Sequence, residues 1–514
     1  MSHCYILVAA AAIFYVILTF KRRMWNTRSR GLPLPPSLKG LPIIGNVFNI
    51  PTNFEWEVYK GWSKRLGSDI VSANAMGFSI VVLNKRKLAI DFLEGQSAIT
   101  SSRVVAPMSC ELMGWNFILP LVPYGEEFRC KRRMFQQNFH RGNMSLRSGV
   151  NQNLPQMLTR ILKNPEDFRN TNSLFMAGTI LKVTYGVEDS EDVKYYLKLL
   201  EEALAPIIRA AIPGRYLVDI FPFLKYVPRW LPGAGFKHDA EEARQLAEKF
   251  ANEPLADALN RMTSGNGSPS FISDAFTRAE SDGVVGDKTL ELIRDIASSA
   301  YSAGTETTLS SLDYFYLAMA MYPEVQKKAQ KELDTYLKGE RLPEFEDKPN
   351  LPYIWAIVKE VLRWQPVIPV GVPHMSTEDT VFNGYFIPKN SIIIANQWAM
   401  LKDEEDYPEP ETFKPERFLT SESQHNESVV DPQTIAFGFG RRICPGAHMA
   451  TSTLFITAAS MLSLFEIKNP EDFNPERQVR LGIARSPTEF RCEIRPRVQN
   501  ADTLIEAFAL HHTT

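Results

Sequence analysis

The feature that most constrains this chain is the run Phe437-Gly438-Phe439-Gly440-Arg441-Arg442-Ile443-Cys444-Pro445-Gly446, which opens onto a helical pattern at Ala447. Glycine tolerates tight turns with positive φ and lets a backbone come close to a flat ligand. A cysteine in this place receives backbone N–H groups and the positive end of the following helix. Arg441 and Arg442 add cationic charge. Together these features favour thiolate over thiol, and a thiolate is a metal ligand or a nucleophile. The residues alone leave a second reading open, a buried structural cysteine behind a glycine turn.

At 514 residues the chain is long enough for about three domains of ~150 residues, yet no linker separates such units. The reading is one large domain, 54–514, behind an N-terminal anchor, 1–24, and a proline-rich linker, 25–53. The formal net charge of −2 lacks the basic excess of a nucleic-acid binder. The five cysteines are scattered, odd in number and never spaced CxxC, which argues against a disulfide framework or a structural zinc site. This usage suits a reducing compartment.

Residues 4–20 are apolar apart from Thr19. At about 1.5 Å per residue the run spans roughly 25 Å, close to the ~27 Å hydrocarbon core of an endoplasmic reticulum bilayer. Lys21, Arg22 and Arg23 follow at once, then Arg28 and Arg30. Cations after the apolar run suit a retained single-pass anchor with its C-terminal side in the cytosol, whereas a cleaved signal carries them before it. Prolines at 33, 35, 36 and 42 predict a stiff extended spacer that holds the body off the membrane.

Beyond residue 54 the apolar spacing predicts helices over 56–66, 85–94, 127–139, 191–211, 239–262, 290–321, 323–337 and 353–364. Residues 380–396 predict a hairpin that turns at Asn383-Gly384. Phe490, Cys492 and Ile494 alternate with Arg491, Glu493 and Arg495, a half-buried strand with Cys492 facing inward. Residues 264–270 and 420–428 are surface loops, and no fixed repeat is present. The fold class expected is mainly α with small β-sheets.

Two more groups of residues carry chemistry. Ala303-Gly304-Thr305-Glu306-Thr307-Thr308 places a small pair, able to let a helix pass close over a flat ring, before a carboxylate beside a hydroxyl. Such an acid–alcohol pair can relay protons while bulk water stays out. Taken alone, a solvated Glu306 and a Thr307 bonded to its own helix is the simpler reading. Glu360 and Arg363 lie three apart on one helix face, upstream of Pro415-Glu416-Arg417-Phe418.

The spacing F-x-x-G-x-R-x-C-x-G, matched by Phe437, Gly440, Arg442, Cys444 and Gly446, resembles the haem-binding loop of the cytochrome P450 superfamily. The motifs at 303–308, Glu360/Arg363 and 415–418 stand in that family's order, and the likeness covers essentially the whole chain after the anchor. It implies the cytochrome P450 fold and haem b, with Cys444 as the axial iron ligand whose electron donation favours O–O cleavage. It also implies that Phe437, Gly438 and Gly446 shape the loop, and that Arg442 pairs with a propionate. Glu306 and Thr307 become the catalytic relay; Glu360, Arg363 and Arg417 become a buried structural network. The segment 124–132 resembles the helix that carries W-x-x-x-R, with Phe128 in place of tryptophan and Arg132 kept for a propionate. His374 is a further propionate candidate.

The resemblance implies a monooxygenase that hydroxylates a small lipophilic compound with O2. No Rossmann fingerprint or P-loop is evident, so electrons are expected from NADPH through a separate NADPH–cytochrome P450 reductase. Lys131, Arg133 and Arg441 are docking candidates for it. Substrate contacts are expected from 115–121 (Phe117), Ala300, Ala303, 367–372 (Val370) and Ile483-Ala484, with apolar 207–231 as a lipid-facing entrance. The overall character resembles fungal secondary metabolism, terpenoid or polyketide tailoring included. An oxygen-independent haem-thiolate isomerase fits less well, having no use for a relay, and a haem carrier has no use for an anchor, a pocket and a relay together.

Overall fold

The computed structural model describes residues 23–140, 144–422, 424–469, 479–480, 484–488 and 490–513. The anchor run 4–20, Lys21, Arg22 and Ile483 lie outside these residues.

The principal helices in chain order are α1 (Glu55–Leu66), α2 (Glu126–Asn138), α3 (Met144–Lys163), α4 (Phe168–Tyr185), α5 (Ser190–Ala210), α6 (Phe236–Thr263), α7 (Asp287–Met321), α8 (Pro352–Trp364), α9 (Ala447–Leu464) and α10 (Ala501–Thr513). Local chemistry sets several boundaries. The Asp189 carboxylate accepts from Glu191 N at 2.8 Å and Asp192 N at 3.2 Å, capping α5. Gly67 and Gly186, both left-handed, end α1 and α4.

The core is built around the 35-residue α7. It packs along α4 on one side and against α8 and α9 on the other. Leu312, Phe315, Ile354, Ile357, Ile456 and Met461 meet there, all almost fully buried. Each side chain so enclosed stabilises by about 1.5–3 kcal/mol. α9 is apolar and long enough to cross a bilayer, but 72% of it is buried, which makes it a core helix.

A five-stranded sheet flanks the helices: β1 (Ile70–Ala75), β2 (Phe78–Leu83), β3 (Ser102–Arg103), β4 (His374–Met375) and β7 (Ile392–Ala395), in the order β1-β2-β7-β4-β3. β2 and β7 run parallel, and the other pairs are antiparallel. Asn383 and Gly384, both with positive φ, turn the hairpin β5 (Thr380–Phe382) to β6 (Tyr385–Ile387). The segment 380–396 is therefore not one long hairpin, because its last strand leaves to join β2 and β4. Cys492 is buried while Arg491 and Glu493 are exposed, as their alternation predicts.

The proline-rich segment does not stand off the body. Ser72 donates from its backbone N to Pro36 O at 2.7 Å and from Oγ to Pro35 O at 2.6 Å. Phe386 N donates to Pro33 O at 2.8 Å, and Arg28 pairs with Asp379. Proline lacks an N–H but keeps its carbonyl, so an extended proline run still accepts hydrogen bonds from a sheet edge.

Candidate haem site

The turn before α9 needs its glycines. Gly438 and Gly440 have φ of +81° and +59°. A Cβ at Gly440 would fall 2.4 Å from Leu93 O, so no side chain fits. Cys444 N donates to Phe437 O at 2.8 Å and folds the run back on itself, bringing Cys444 in just before the helix. Cys444 keeps accessible surface although burial desolvates its thiol, which is the signature of a side chain that opens onto an internal void. Burial pushes this thiol up; the Gly446 N–H and the Arg132 charge pull against it without prevailing. The loop N–H and Arg132 favour the thiolate, and a bound cation would offset the desolvation.

α7 faces the same kind of void. Ala303 is exposed and Gly304 and Thr307 partly so, in a helix otherwise buried on both sides of them. A Cβ at Gly304 would meet Ile180 Cδ1 at 3.3 Å. Gly304 thus lies close against Ile180 of α4, whereas Ala303 is open. Thr307 Oγ1 donates to Ala303 O at 2.7 Å, the simpler of the two sequence readings, which leaves its oxygen lone pairs as acceptors. Glu306 turns to another flank, where it lines a cleft with Phe168, Glu201, Leu204, Ser310 and Asp313.

Three arginines and a histidine converge beside the loop. Arg442 is buried; its Nε donates to Ser101 O at 2.7 Å and its Nη2 to Val122 O at 2.6 Å. Its Nη1 is buried without a partner. The guanidinium carbon lies 3.6 Å from the centre of the Phe128 ring, one helical turn before Arg132. Phenylalanine here keeps the cation–π contact but has no indole N–H to offer. Arg103, which sequence reasoning missed, is buried and donates to Pro120 O at 3.1 Å and Val372 O at 2.7 Å. No motif marks it, since it is one residue of a two-residue strand. His374 Nδ1 lies 2.9 Å from Thr100 O. A carbonyl only accepts, so Nδ1 carries the proton.

The electrostatics of this group are one-sided. Burial and the Arg132 charge lower Arg442 to about 10. Burial lowers Arg132, and burial with Arg442 lowers Arg103 well below its ordinary value. Burial and Arg103 bring His374 down to about 3, so it is neutral. Among the described residues no carboxylate pairs with any of the three arginines. Buried cations without counter-charge are costly. The two propionates of haem would supply the missing anions and fill the orphaned Nη1, so the residues present fit the group. We expect Arg442→Leu to release haem more readily, by about 10–100-fold in a transfer assay to apomyoglobin.

Glu360, Arg363 and Arg417 come together, the arrangement that the family resemblance implies. Arg363 donates from Nε and Nη2 to the two Glu360 oxygens, both at 2.8 Å, and Arg417 Nε lies 3.2 Å from the same carboxylate. Arg363 also reaches Leu401 O, Pro410 O and Thr412 O. Lys414 N donates to Glu360 at 2.8 Å.

The other expected contacts divide. Phe117 stacks on Trp115, which stacks on Phe250, and Phe117 and Ala300 are both buried. Val370 is partly exposed. Lys131 is not a docking cation. It is buried and bound to Asp295 at 2.9 Å, Glu127 at 2.6 Å and Phe117 O at 3.1 Å. Its helix face, set by the 3.6-residue period, points inward, whereas Arg133 and Arg441 are exposed.

An accessible cysteine in a glycine-rich turn before a helix, with buried arginines that lack counter-charge beside it, is the pattern of a haem-thiolate protein. The sequence model of the Cytochrome P450 family matches residues 35–494, and the chain belongs to that family. It is 43% identical to Cytochrome P450 monooxygenase ple1 of Rhodocybe pseudopiperita, over 93% of this chain and 92% of that one. It is 37% identical to Tryptamine 4-monooxygenase of Psilocybe cyanescens, over 96% and 97%, and 38% identical to Cytochrome P450 monooxygenase claR of Ampulloclitocybe clavipes, over 93% and 89%. The chain is a cytochrome P450 monooxygenase. It uses haem b, a small-molecule substrate and a reductase partner.

Proposed function

We propose that Cys444 is the axial ligand of the haem iron and that the substrate is a small lipophilic secondary metabolite, terpenoids being the first class to screen. The observation that carries this is the accessible but desolvated Cys444 thiol in its glycine-rich turn before α9, and the exposed Ala303 on α7 supports it. Bound haem supplies the one-electron iron chemistry that activates O2. Arg442, Arg132, Arg103 and His374 hold its carboxylates. Thr307 Oγ1, its own proton given to Ala303 O, accepts a proton through its lone pairs as it passes one on, and Glu306 takes protons from the cleft on its own flank. Val370 and Ala303 line the apolar wall. The test is the dithionite-reduced spectrum with and without carbon monoxide, followed by turnover dependent on NADPH, reductase and O2. A Soret band typical of histidine ligation would overturn the Cys444 assignment.

Thr307→Ala removes the void-side hydroxyl and leaves the helix intact. NADPH consumption should continue while product per NADPH falls by about 10-fold or more and peroxide rises, given that a positioned proton relay contributes ~10²–10⁴-fold. Coupling at the wild-type level would remove Thr307 from the relay.

We further propose that residues 1–24 anchor the chain in the endoplasmic reticulum membrane by a single pass, with the catalytic body in the cytosol. The exposed apolar side chains Leu217, Phe223, Tyr226, Trp230 and Leu231 support a second, shallow contact with the bilayer. A chain lacking 1–24 should still sediment in part with membranes, and Phe223→Glu with Trp230→Glu should move it to the soluble fraction. Arg133 and Arg441 are proposed to face the reductase.

A further inference from the structure

We propose that Glu344, His511 and His512 form a binding site for a divalent transition-metal ion, Zn²⁺ or Cu²⁺, that ties the last turn of α10 to the segment leading into α8. The three donor atoms already converge. His511 Nδ1 lies 3.1 Å from His512 Nδ1 and 3.5 Å from a Glu344 oxygen, and all three fall within 4.8 Å of one another. Ligands bound at about 2.0–2.1 Å in a tetrahedral arrangement stand roughly 3.3–3.4 Å apart, so two of the separations already match a shared ion. The donor set, two imidazoles and a carboxylate, is one that zinc and copper favour over magnesium or calcium.

The surroundings hold these side chains in place. Glu344 N donates to Asp347 Oδ2 at 2.8 Å, and the Glu344 carboxylate accepts in return in a reciprocal cap. Asp347 is itself gripped by Arg341 at 2.6 and 2.7 Å and by Tyr336 Oη at 3.1 Å. The His512 ring packs against Phe508 with centres 4.3 Å apart. One ligand and one ring are therefore fixed before any ion arrives, which lowers the entropic cost of binding. The site also sits at the C-terminal end of α10, where the helix dipole favours positive charge.

The site is remote in chemistry from the haem, so it does not depend on the assignment of Cys444. The test is Zn²⁺ titration of the haem-loaded full chain by calorimetry, alongside His512→Ala and His511→Ala, with thermal unfolding in the absence and presence of zinc. The result expected is one zinc per chain with a Kd on the order of micromolar, weakened at least about tenfold in each variant, and a zinc-dependent rise in Tm that chelation reverses and the variants lack. The haem spectrum should not change. Equal zinc binding by His512→Ala and the wild type, or no binding up to about 100 µM zinc, would overturn the proposal.

Discussion

Cys444→Ala is expected to give a folded protein with no red-shifted carbon monoxide band and NADPH-dependent product no higher than a blank without enzyme. The loop should survive, because Cys444 N to Phe437 O and the two left-handed glycines are backbone features that alanine retains. The arginines that would hold the haem carboxylates are unchanged, so haem can still bind. What is lost is the sulfur, and with it the strong electron donation that favours O–O cleavage. Two spectra decide the matter: far-UV circular dichroism to show the helices intact, and the reduced carbon monoxide difference spectrum. Retained turnover in a folded variant would remove the central assignment.

Glu360→Gln should cost about 3–5 kcal/mol of stability, the range for removing one partner from a buried ion pair. The neutral amide would leave Arg363 and Arg417 facing each other in a pocket where Glu360 and Arg363 are fully buried. That is a large share of the roughly 5–15 kcal/mol that keeps a domain folded. The check is the urea midpoint of the haem-loaded variant, together with its yield. The fraction that folds should show an unshifted thiolate spectrum, because the network ties 408–417 to α8 and does not touch the void. A wild-type midpoint with an altered spectrum would mean that the triad acts on the haem instead. Arg363→Lys should fail almost as badly, since one ammonium cannot serve both the carboxylate and three carbonyls.

The sequence showed best what has a local or periodic signature. The amphipathic α5 and α8 were readable, as were the Asn383-Gly384 turn and the cysteine loop. α4 was not. Its Phe175, Met176, Ala177, Ile180, Leu181 and Val183 are all buried, so no polar stripe marks its period. β1 and β2 escaped notice as well, and β3 and β4 are two-residue strands too short to alternate. At the site, residues fixed by a motif were found, and those fixed by tertiary contact were not. Arg103 entered only through the sheet, and Lys131 proved to be internal. Gly304 lies close against Ile180 of α4. Spacing along one chain does not say which neighbour a small residue admits.

The strap of residues 33–46 along β1 has a practical meaning for handling this protein. β1 is an edge strand; its Ser72 and Asn74, and Met76 just past its end, are paired with Pro36, Asn46 and Ile44 of the strap. Such an edge, once bared, is a template for pairing with another chain. A shortened form made for crystallisation that begins near Arg28 keeps this edge covered. One that begins beyond Gly45 trades a greasy terminus for a sticky strand, and its self-association would say nothing about how the enzyme assembles in the cell.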